Sequence, residues 1–418
     1  MPRRRRHGVA ARPRQPCRGG GLFAALVALA TAAGSAACQA DLGTAGCQIT
    51  KQTTLPGTPL TLLAEARLDI IGSGYALIGY DPGSNAVRWA LGADGNLGTE
   101  HAFGLPPGVT SPMFAMAGTP TGTPADTVLI AYVGTDPTAT KGELAMIAVP
   151  ADGSPPQAPA ATIHEFPKGI PPASSIAMAS SRKGGHAGLA WIDDAMGRVM
   201  YAAIDATGQM VVSPTPTASA APDFSCLGFA GGKDDVTVVY YAAMANQGKA
   251  GWIIAEGNEA GGIDSSVSLT FERQMGSCAT VTATAAGYGI AWQDSAGSWA
   301  SIYTTADNKL TKEVLFAPAN DFSGANLQPP IVALAPFGRD LGVLFQRAHD
   351  PELWRLEQTG DRRSGALIFP SAEGYLGTVS ASRVGSGATE ALTATYADYT
   401  GSGDGTAGSR LFVNATCY

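Results

Sequence analysis

The sequence predicts an all-β protein, a seven-bladed β-propeller that follows an N-terminal signal segment; six or eight blades remain compatible. Three observations predict this fold: a repeated strand-like motif, a composition rich in Gly and Pro, and the lack of helical periodicity after the N-terminus. The motif ends in an aromatic residue at Tyr80, Tyr132, Trp191, Tyr240, Trp292, Phe345 and Tyr396. Successive aromatics lie 49 to 59 residues apart, which suits one four-stranded blade per copy.

The composition agrees with many short strands and tight turns. Charged residues are only 15% of the chain, while 53 Gly and 28 Pro together make up about a fifth of it. Short apolar runs separated by turn-forming residues are typical of all-β proteins. In each copy of the motif we therefore expect a buried strand that ends in a core aromatic.

Residues 1–37 are predicted to be a secretory signal peptide. They contain seven Arg and no acidic residue, and an apolar run at 22–33 precedes small residues at 34–37. A basic region, an apolar core and a small-residue site in this order are typical of such peptides. A retained membrane anchor is the alternative, although 12 apolar residues are short for a bilayer. Residues 38–46 would then be a short linker and 47–418 the propeller.

The end of this segment resembles a known processing site. Ser35-Ala36-Ala37-Cys38 is similar to the lipobox of bacterial lipoproteins, in which the Cys becomes the lipidated first residue. With the repeat, the chain resembles exported bacterial β-propeller lipoproteins. The resemblance implies an outer-membrane or cell-surface protein that is anchored in the membrane through Cys38. Ordinary cleavage after Ala37 would instead leave a periplasmic or secreted protein.

The charge of the mature chain restricts its partners. Without residues 1–37 the chain keeps 20 basic and 34 acidic residues, a net charge of −14. A surface of this sign repels phosphate backbones, so nucleic acid is not an expected partner. Cations, neutral sugars and peptides remain compatible with it.

Cysteine positions predict how the ring closes. Once Cys17 is removed and Cys38 is lipidated, an even number of cysteines remains, which favours disulfides in an exported chain: Cys47, Cys226, Cys278 and Cys417. The two ends of a propeller must meet in one blade. We therefore expect residues 47–55 to supply the fourth strand of the last blade, and a Cys47–Cys417 bond to hold it there.

The other two cysteines occupy equivalent points of neighbouring blades. Cys226 and Cys278 each lie 14 residues before the aromatic of their blade. A disulfide between adjacent innermost strands is predicted, with two separate buried thiols as the alternative. No cysteine pair has CxxC spacing or a nearby His, so neither a metal site nor a cofactor is predicted.

Aspartates follow the repeated aromatic in four copies and are the candidate ligand-binding residues: Asp81, Asp193, Asp194, Asp294 and Asp398. We expect them in the loops between second and third strands, on one face of the propeller. They would form either an acidic rim for cations or sugar hydroxyls, or turns in which Asp bonds its own backbone. Trp252, Trp299 and Trp354 are candidates for exposed sugar contacts, although such residues more often fill the core of a blade.

No catalytic residue is predicted from the sequence. GxSxG, HExxH, P-loop and EF-hand motifs are missing, and the four His of the mature chain are dispersed. The prediction is a non-catalytic binding or scaffolding module on the bacterial cell envelope, with an envelope protein or a glycan as its partner. The alternative is a propeller hydrolase or lyase that acts on extracellular polysaccharide, with carboxylates or His around the central opening. An assembly factor would instead expose an apolar patch.

Overall fold

The computed structural model of the protein describes strands and turns between residues 47 and 417. The described residues are 47–54, 65–71, 74–93, 96–109, 112–117, 127–135, 141–167, 169, 171, 176–181, 185–193, 195–216, 224–231, 236–246, 249–270, 280–294, 296–307, 309–311, 313–318, 333–337, 339–347, 350–367, 374–376, 380–384, 391–400 and 408–417. The chain divides into units Met1–Ala40 and Asp41–Tyr418, and every described residue belongs to the second unit. The predicted signal peptide and linker lie outside the described residues, as do Cys38, Asp194 and Cys278.

The first thirteen strands comprise an N-terminal strand and three four-stranded sheets. Strand β1 spans Cys47–Thr54 and belongs to the last sheet of the chain. Sheet I comprises β2 (Glu65–Ile71), β3 (Gly74–Asp81), β4 (Ala86–Ala93) and β5 (Asn96–Gly104). Sheet II comprises β6 (Met113–Ala117), β7 (Thr127–Thr135), β8 (Gly142–Pro150) and β9 (Ala161–Phe166). Sheet III comprises β10 (Ile176–Ser180), β11 (His186–Asp193), β12 (Arg198–Asp205) and β13 (Thr215–Pro216).

The next three sheets repeat this order. Sheet IV comprises β14 (Phe224–Gly231), β15 (Val236–Asn246), β16 (Lys249–Asn258) and β17 (Ile263–Thr270). Sheet V comprises β18 (Thr280–Ala283), β19 (Gly287–Asp294), β20 (Gly297–Thr304), β21 (Lys309–Leu310) and β22 (Val314–Pro318). Sheet VI comprises β23 (Ala333–Phe337), β24 (Asp340–Arg347), β25 (Asp350–Leu356) and β26 (Arg362–Leu367).

Sheet VII contains strands from both ends of the described chain. It comprises β27 (Gly374–Leu376), β28 (Ser380–Val384), β29 (Ala391–Thr400) and β30 (Gly408–Cys417), with β1 beyond β30. Strands β1 and β30 are antiparallel, and Cys47 lies directly opposite Cys417. The N-terminal strand therefore completes the sheet of the C-terminal strands, as the sequence predicts.

The repeated motif supplies the second strand of each described sheet, namely β3, β7, β11, β15, β19, β24 and β29. In β11 every residue after His186 is buried, from Ala187 to Asp193. Neighbouring sheets cover both faces of this strand, which explains why its sequence is a continuous apolar run without polar alternation. The small Ala and Gly residues of the motif allow the sheets to approach closely.

The edge strands β2, β6, β10, β14, β18, β23 and β28, one from each described sheet, contact each other in a closed cycle. Each touches the next, and β28 touches β2. None of the described residues is helical, and accordingly this part of the chain has no helix with the length and apolar character needed to cross a membrane. Antiparallel sheets repeated around a ring are the blades of a β-propeller. The predicted all-β propeller is therefore confirmed.

The apolar core lies between neighbouring sheets. One cluster joins sheets I and II through Ile78, Trp89 and Ile130, and the next joins sheets II and III through Leu129 and Trp191. Polar bonds cross the same interfaces. The indole N–H of Trp89 donates to the carbonyl of Ala151 at 2.8 Å, which links sheet I to the turn after β8. Each sheet thus depends on its neighbour to cover its apolar face.

Candidate functional site

The predicted aspartates lie at the ends of second strands. Asp81, Asp193 and Asp294 are the last residues of β3, β11 and β19, and Asp398 lies inside β29. The expected loop positions are therefore corrected. Strand pairing continues through Asp398, which is opposite Ser409. The side chains of Asp294 and Asp398, like the whole of Asp194, lie outside the described set.

Asp81 is bound within its own hairpin and to the next strand. Its Oδ1 accepts the backbone N–H of Gly83 at 2.9 Å, and its Oδ2 accepts the Ser84 hydroxyl at 2.6 Å. Arg88 on β4 donates to Asp81 Oδ2 at 2.8 Å and to Glu100 at 2.9 Å. Burial alone would raise the pKa of Asp81, but the hydrogen bonds from Ser84 and Arg88 outweigh it and lower that pKa. The carboxylate therefore stays ionised and holds the turn.

Asp193 is buried and closes the turn between β11 and β12. Its Oδ1 accepts the backbone N–H groups of Ala195 at 2.8 Å and Met196 at 3.0 Å. Met196 lies at the tip of this hairpin with 54% of its surface exposed. For Asp81 and Asp193, the two described side chains, the geometry matches the turn interpretation. The tips of these hairpins, and not the two carboxylates, are therefore the parts exposed to solvent.

A histidine from sheet II reaches Asp193 across the interface with sheet III. His164 on β9 places Nε2 at 3.8 Å from Asp193 Oδ2, and its ring lies 5.5 Å from that of Trp191. Burial, the largest cause, lowers the pKa of His164; the charges of Asp193 and Glu165 oppose this effect without cancelling it. No spacing in the sequence indicates the group, because only the packing of two sheets brings its members together.

The aromatic residues divide between core and partial exposure. Of the repeated aromatics, Tyr80, Tyr132, Trp191 and Trp292 are buried, which confirms their predicted core position. Trp299 on β20 is only 7% exposed, so of the two predicted positions it takes the one in the core of a blade and does not make an exposed sugar contact. Trp354 on β25 is half-buried against the cluster between sheets V and VI. Trp252 lies on β16, and its side chain is outside the described set.

A cavity of about 540 Å³ lies between sheets II and III. One wall is a face of β8 that presents Met146, Ala148 and Pro150, and the opposite wall is the turn at 206–209 after β12. Residues 157–159 border it as well. The sequence gives no signal for this cavity, because no motif marks residues that come from separate sheets.

The described residues hold no candidate metal centre. Within the described ranges, no group of three or more His, Cys, Asp or Glu side chains is placed to bind a metal ion. Cys226 lies on β14, while its predicted partner Cys278 is outside the described residues, so that pairing stays a prediction.

Comparison with known proteins gives likenesses of structure only. No protein-family model and no curated protein matches the chain. The β-propeller domain of the Trilobed protease from Pyrococcus furiosus is 12% identical with a TM-score of 0.45, over 84% of this chain and 95% of that chain. Kuenenia stuttgartiensis hydrazine synthase is 15% identical with a TM-score of 0.45, over 87% and 99%. The Cps50 (Swd1) β-propeller domain of Myceliophteria thermophila is 12% identical with a TM-score of 0.48, over 87% and 99%.

Proposed function

We propose that this chain is a seven-bladed β-propeller of the bacterial cell envelope that acts as a non-catalytic binding or scaffolding module. The observation that carries the proposal is that Asp81 and Asp193 are used by their own hairpins. Glycoside hydrolysis needs an acid and a base or nucleophile that face a substrate. Carboxylates held in turns instead support a rigid surface of loops, which suits recognition.

The blade number rests on the repeat and on the ring of contacts. Each of the seven described sheets contains one copy of the motif, and their edge strands contact in a closed cycle. We assign one blade to each sheet, with sheet VII closed by β1.

The envelope location rests on the N-terminal segment. Lipidation of Cys38 would leave residues 39–46 between the lipid and β1, so the propeller would lie close to the membrane. Cleavage without lipidation would release it into the periplasm or the medium.

The opposed cysteines of sheet VII are proposed to form a disulfide. Directly opposite residues of an antiparallel pair have Cα atoms about 4.5 to 5.5 Å apart, within the range of about 4.4 to 6.8 Å that disulfides need. Cys47 and Cys417 are such a pair. The bond would fix β1 in the sheet and so keep the ring closed.

The proposal is tested by capture of a partner from envelope extract, together with a glycan array, on the mature protein. We expect one envelope protein or one glycan class to be retained through the hairpin tips. Met196→Glu, at an exposed tip, should reduce retention at least threefold. The matched control is Val211→Glu, because Val211 is also exposed, at 39%, but lies after β12 and away from that hairpin.

Two outcomes would contradict this account. Retention of neither protein nor glycan would remove the binding function. Equal losses with Met196→Glu and Val211→Glu would show that the partner does not bind at the β11–β12 hairpin.

A further inference from the structure

We infer that the cavity between sheets II and III binds a short uncharged peptide segment in extended conformation. Its volume of about 540 Å³ lies in the range of roughly 300 to 1,000 Å³ that ligand sites occupy. The site is separate from the second-strand hairpins and does not depend on the envelope location. It would remain if the partner proposed above were bound elsewhere.

The first argument is a strand edge without a partner strand. Strand β9 accompanies β8 only as far as the pair Met146↔Ala161. Strand β8 continues to Pro150, where its other edge still pairs with Thr127 of β7. Residues 147–149 therefore lack a strand on their outer side among the described residues. An extended peptide can add to such an edge through main-chain hydrogen bonds.

The chain after β8 does not occupy this edge. Residues 151–160 leave the sheet before β9 begins at Ala161. A backbone hydrogen bond connects this described segment to the end of β8: the Gly153 N–H donates to the Pro150 carbonyl at 3.0 Å. That bond turns the chain away from β8, so no described strand pairs with the outer edge of residues 147–149.

The second argument is that the opposite wall is already ordered. Asp205 Oδ1 accepts the N–H of Thr207 at 2.8 Å, the hydroxyl of Thr207 at 2.6 Å and the N–H of Gln209 at 3.1 Å. Gly208 has a φ of 83°, and a Cβ there would lie 3.0 Å from that of Ala148. The two walls thus nearly touch at this point. A wall fixed before binding lowers the entropy cost of association.

The third argument is the chemistry of the lining. No described residue that lines the cavity carries a charge, so a charged ligand group would lose hydration without gaining an ion partner. Gln157 and Gln209 each offer an amide donor and acceptor, the complement of a peptide group. Met146, Ala148 and Pro159 provide apolar contacts for small aliphatic side chains. The described lining contains no aromatic ring, the usual apolar platform for a sugar.

The experiment uses the full mature protein and blocked tetrapeptides, N-acetylated and C-amidated, built from Ala, Val, Ser and Gln. We expect saturable binding, at least tenfold weaker when two positions carry Glu or Lys. Hydrogen exchange should slow in the bound protein at those amides of residues 147–149 that face away from β7. Ala158→Trp should weaken binding at least tenfold, because Ala158 is an exposed residue of the lining. Ala160→Trp, at a residue that is also exposed but outside the lining, is the matched control and should bind normally.

Several results would overturn the assignment. These are a lack of saturable binding by any neutral tetrapeptide, equal affinity in Ala158→Trp and wild type, and binding without protection of residues 147–149. If the wild type bound maltotriose but no peptide, and Ala158→Trp abolished that binding, the ligand of the cavity would be a sugar and the peptide assignment would be wrong. Gln157→Ala, a change at an exposed side chain, gives a second reading should Ala158→Trp fail to fold; an unchanged affinity there would also count against the site.

Discussion

Two fully buried tryptophans differ in whether the indole N–H is hydrogen-bonded. Trp89 donates its indole N–H to the carbonyl of Ala151 at 2.8 Å, across the interface of sheets I and II. Trp191, between sheets II and III, is 1% exposed and its Nε1 has no acceptor among the described residues. A buried polar group that loses its partner costs free energy, whereas removal of a group that has none does not.

This difference predicts unequal costs for two similar substitutions. Trp89→Phe should lower the free energy of unfolding by about 1 to 3 kcal/mol more than Trp191→Phe, because it leaves the Ala151 carbonyl unpaired in the core. Both variants lose similar ring volume, so each serves as the control for the other. Urea unfolding midpoints measure the difference. A Trp191→Phe variant that is as unstable as Trp89→Phe would disprove the explanation.

At the scale of strands and sheets, the interface of sheets II and III contains a titratable contact. His164 of β9 lies against Trp191 and 3.8 Å from Asp193 of β11. Burial lowers the pKa of His164 in the folded protein, from about 6.5 in an unfolded chain. Between the two pKa values the unfolded chain binds the proton and the folded protein does not, so stability must fall as the pH is lowered.

The expected pH dependence follows from that sign. Above about pH 7, His164 is neutral in both states and protonation does not lower the free energy of unfolding. That free energy declines as the pH falls through about 6.5 toward the lowered pKa of the folded protein. His164→Gln should flatten this part of the stability profile and leave the acid loss below about pH 4, where carboxylates titrate. Unfolding midpoints at half-unit pH steps measure the effect. Identical slopes for variant and wild type between pH 7 and 5 would exclude His164 as the cause.

Strand positions were predictable where a strand carries its own signal. Each second strand contains an apolar run that leads to an aromatic residue, as β11 (His186–Asp193) does with Trp191. The cavity was not predictable, because it depends on where β9 stops beside β8, after a register shift at Leu144/Ala145. Asp398 was misplaced because Asp is depleted in strands and favours turns, whereas β29 continues past it to Thr400. The contact of His164 with Asp193 depends on sheet packing.

At the scale of the whole molecule, one strand from the N-terminus closes the ring. Strand β1 pairs with β30 along its length, from Cys47↔Cys417 to Thr54↔Leu411. A bond between those cysteines would close a loop of roughly 370 residues, for which the chain-entropy estimate is about 5 kcal/mol. The position of Cys47 near the predicted mature N-terminus and of Cys417 near the C-terminus made this closure predictable, because a ring must join its ends.

The most direct test of a closed, exported propeller is peptide mass spectrometry, without reduction, of the protein recovered from a bacterial envelope. The account predicts an N-terminal peptide that begins at a lipid-modified Cys38, and a cross-linked peptide pair that joins Cys47 to Cys417. A chain that keeps residues 1–37, with Cys47 and Cys417 both recovered as free thiols, would contradict it.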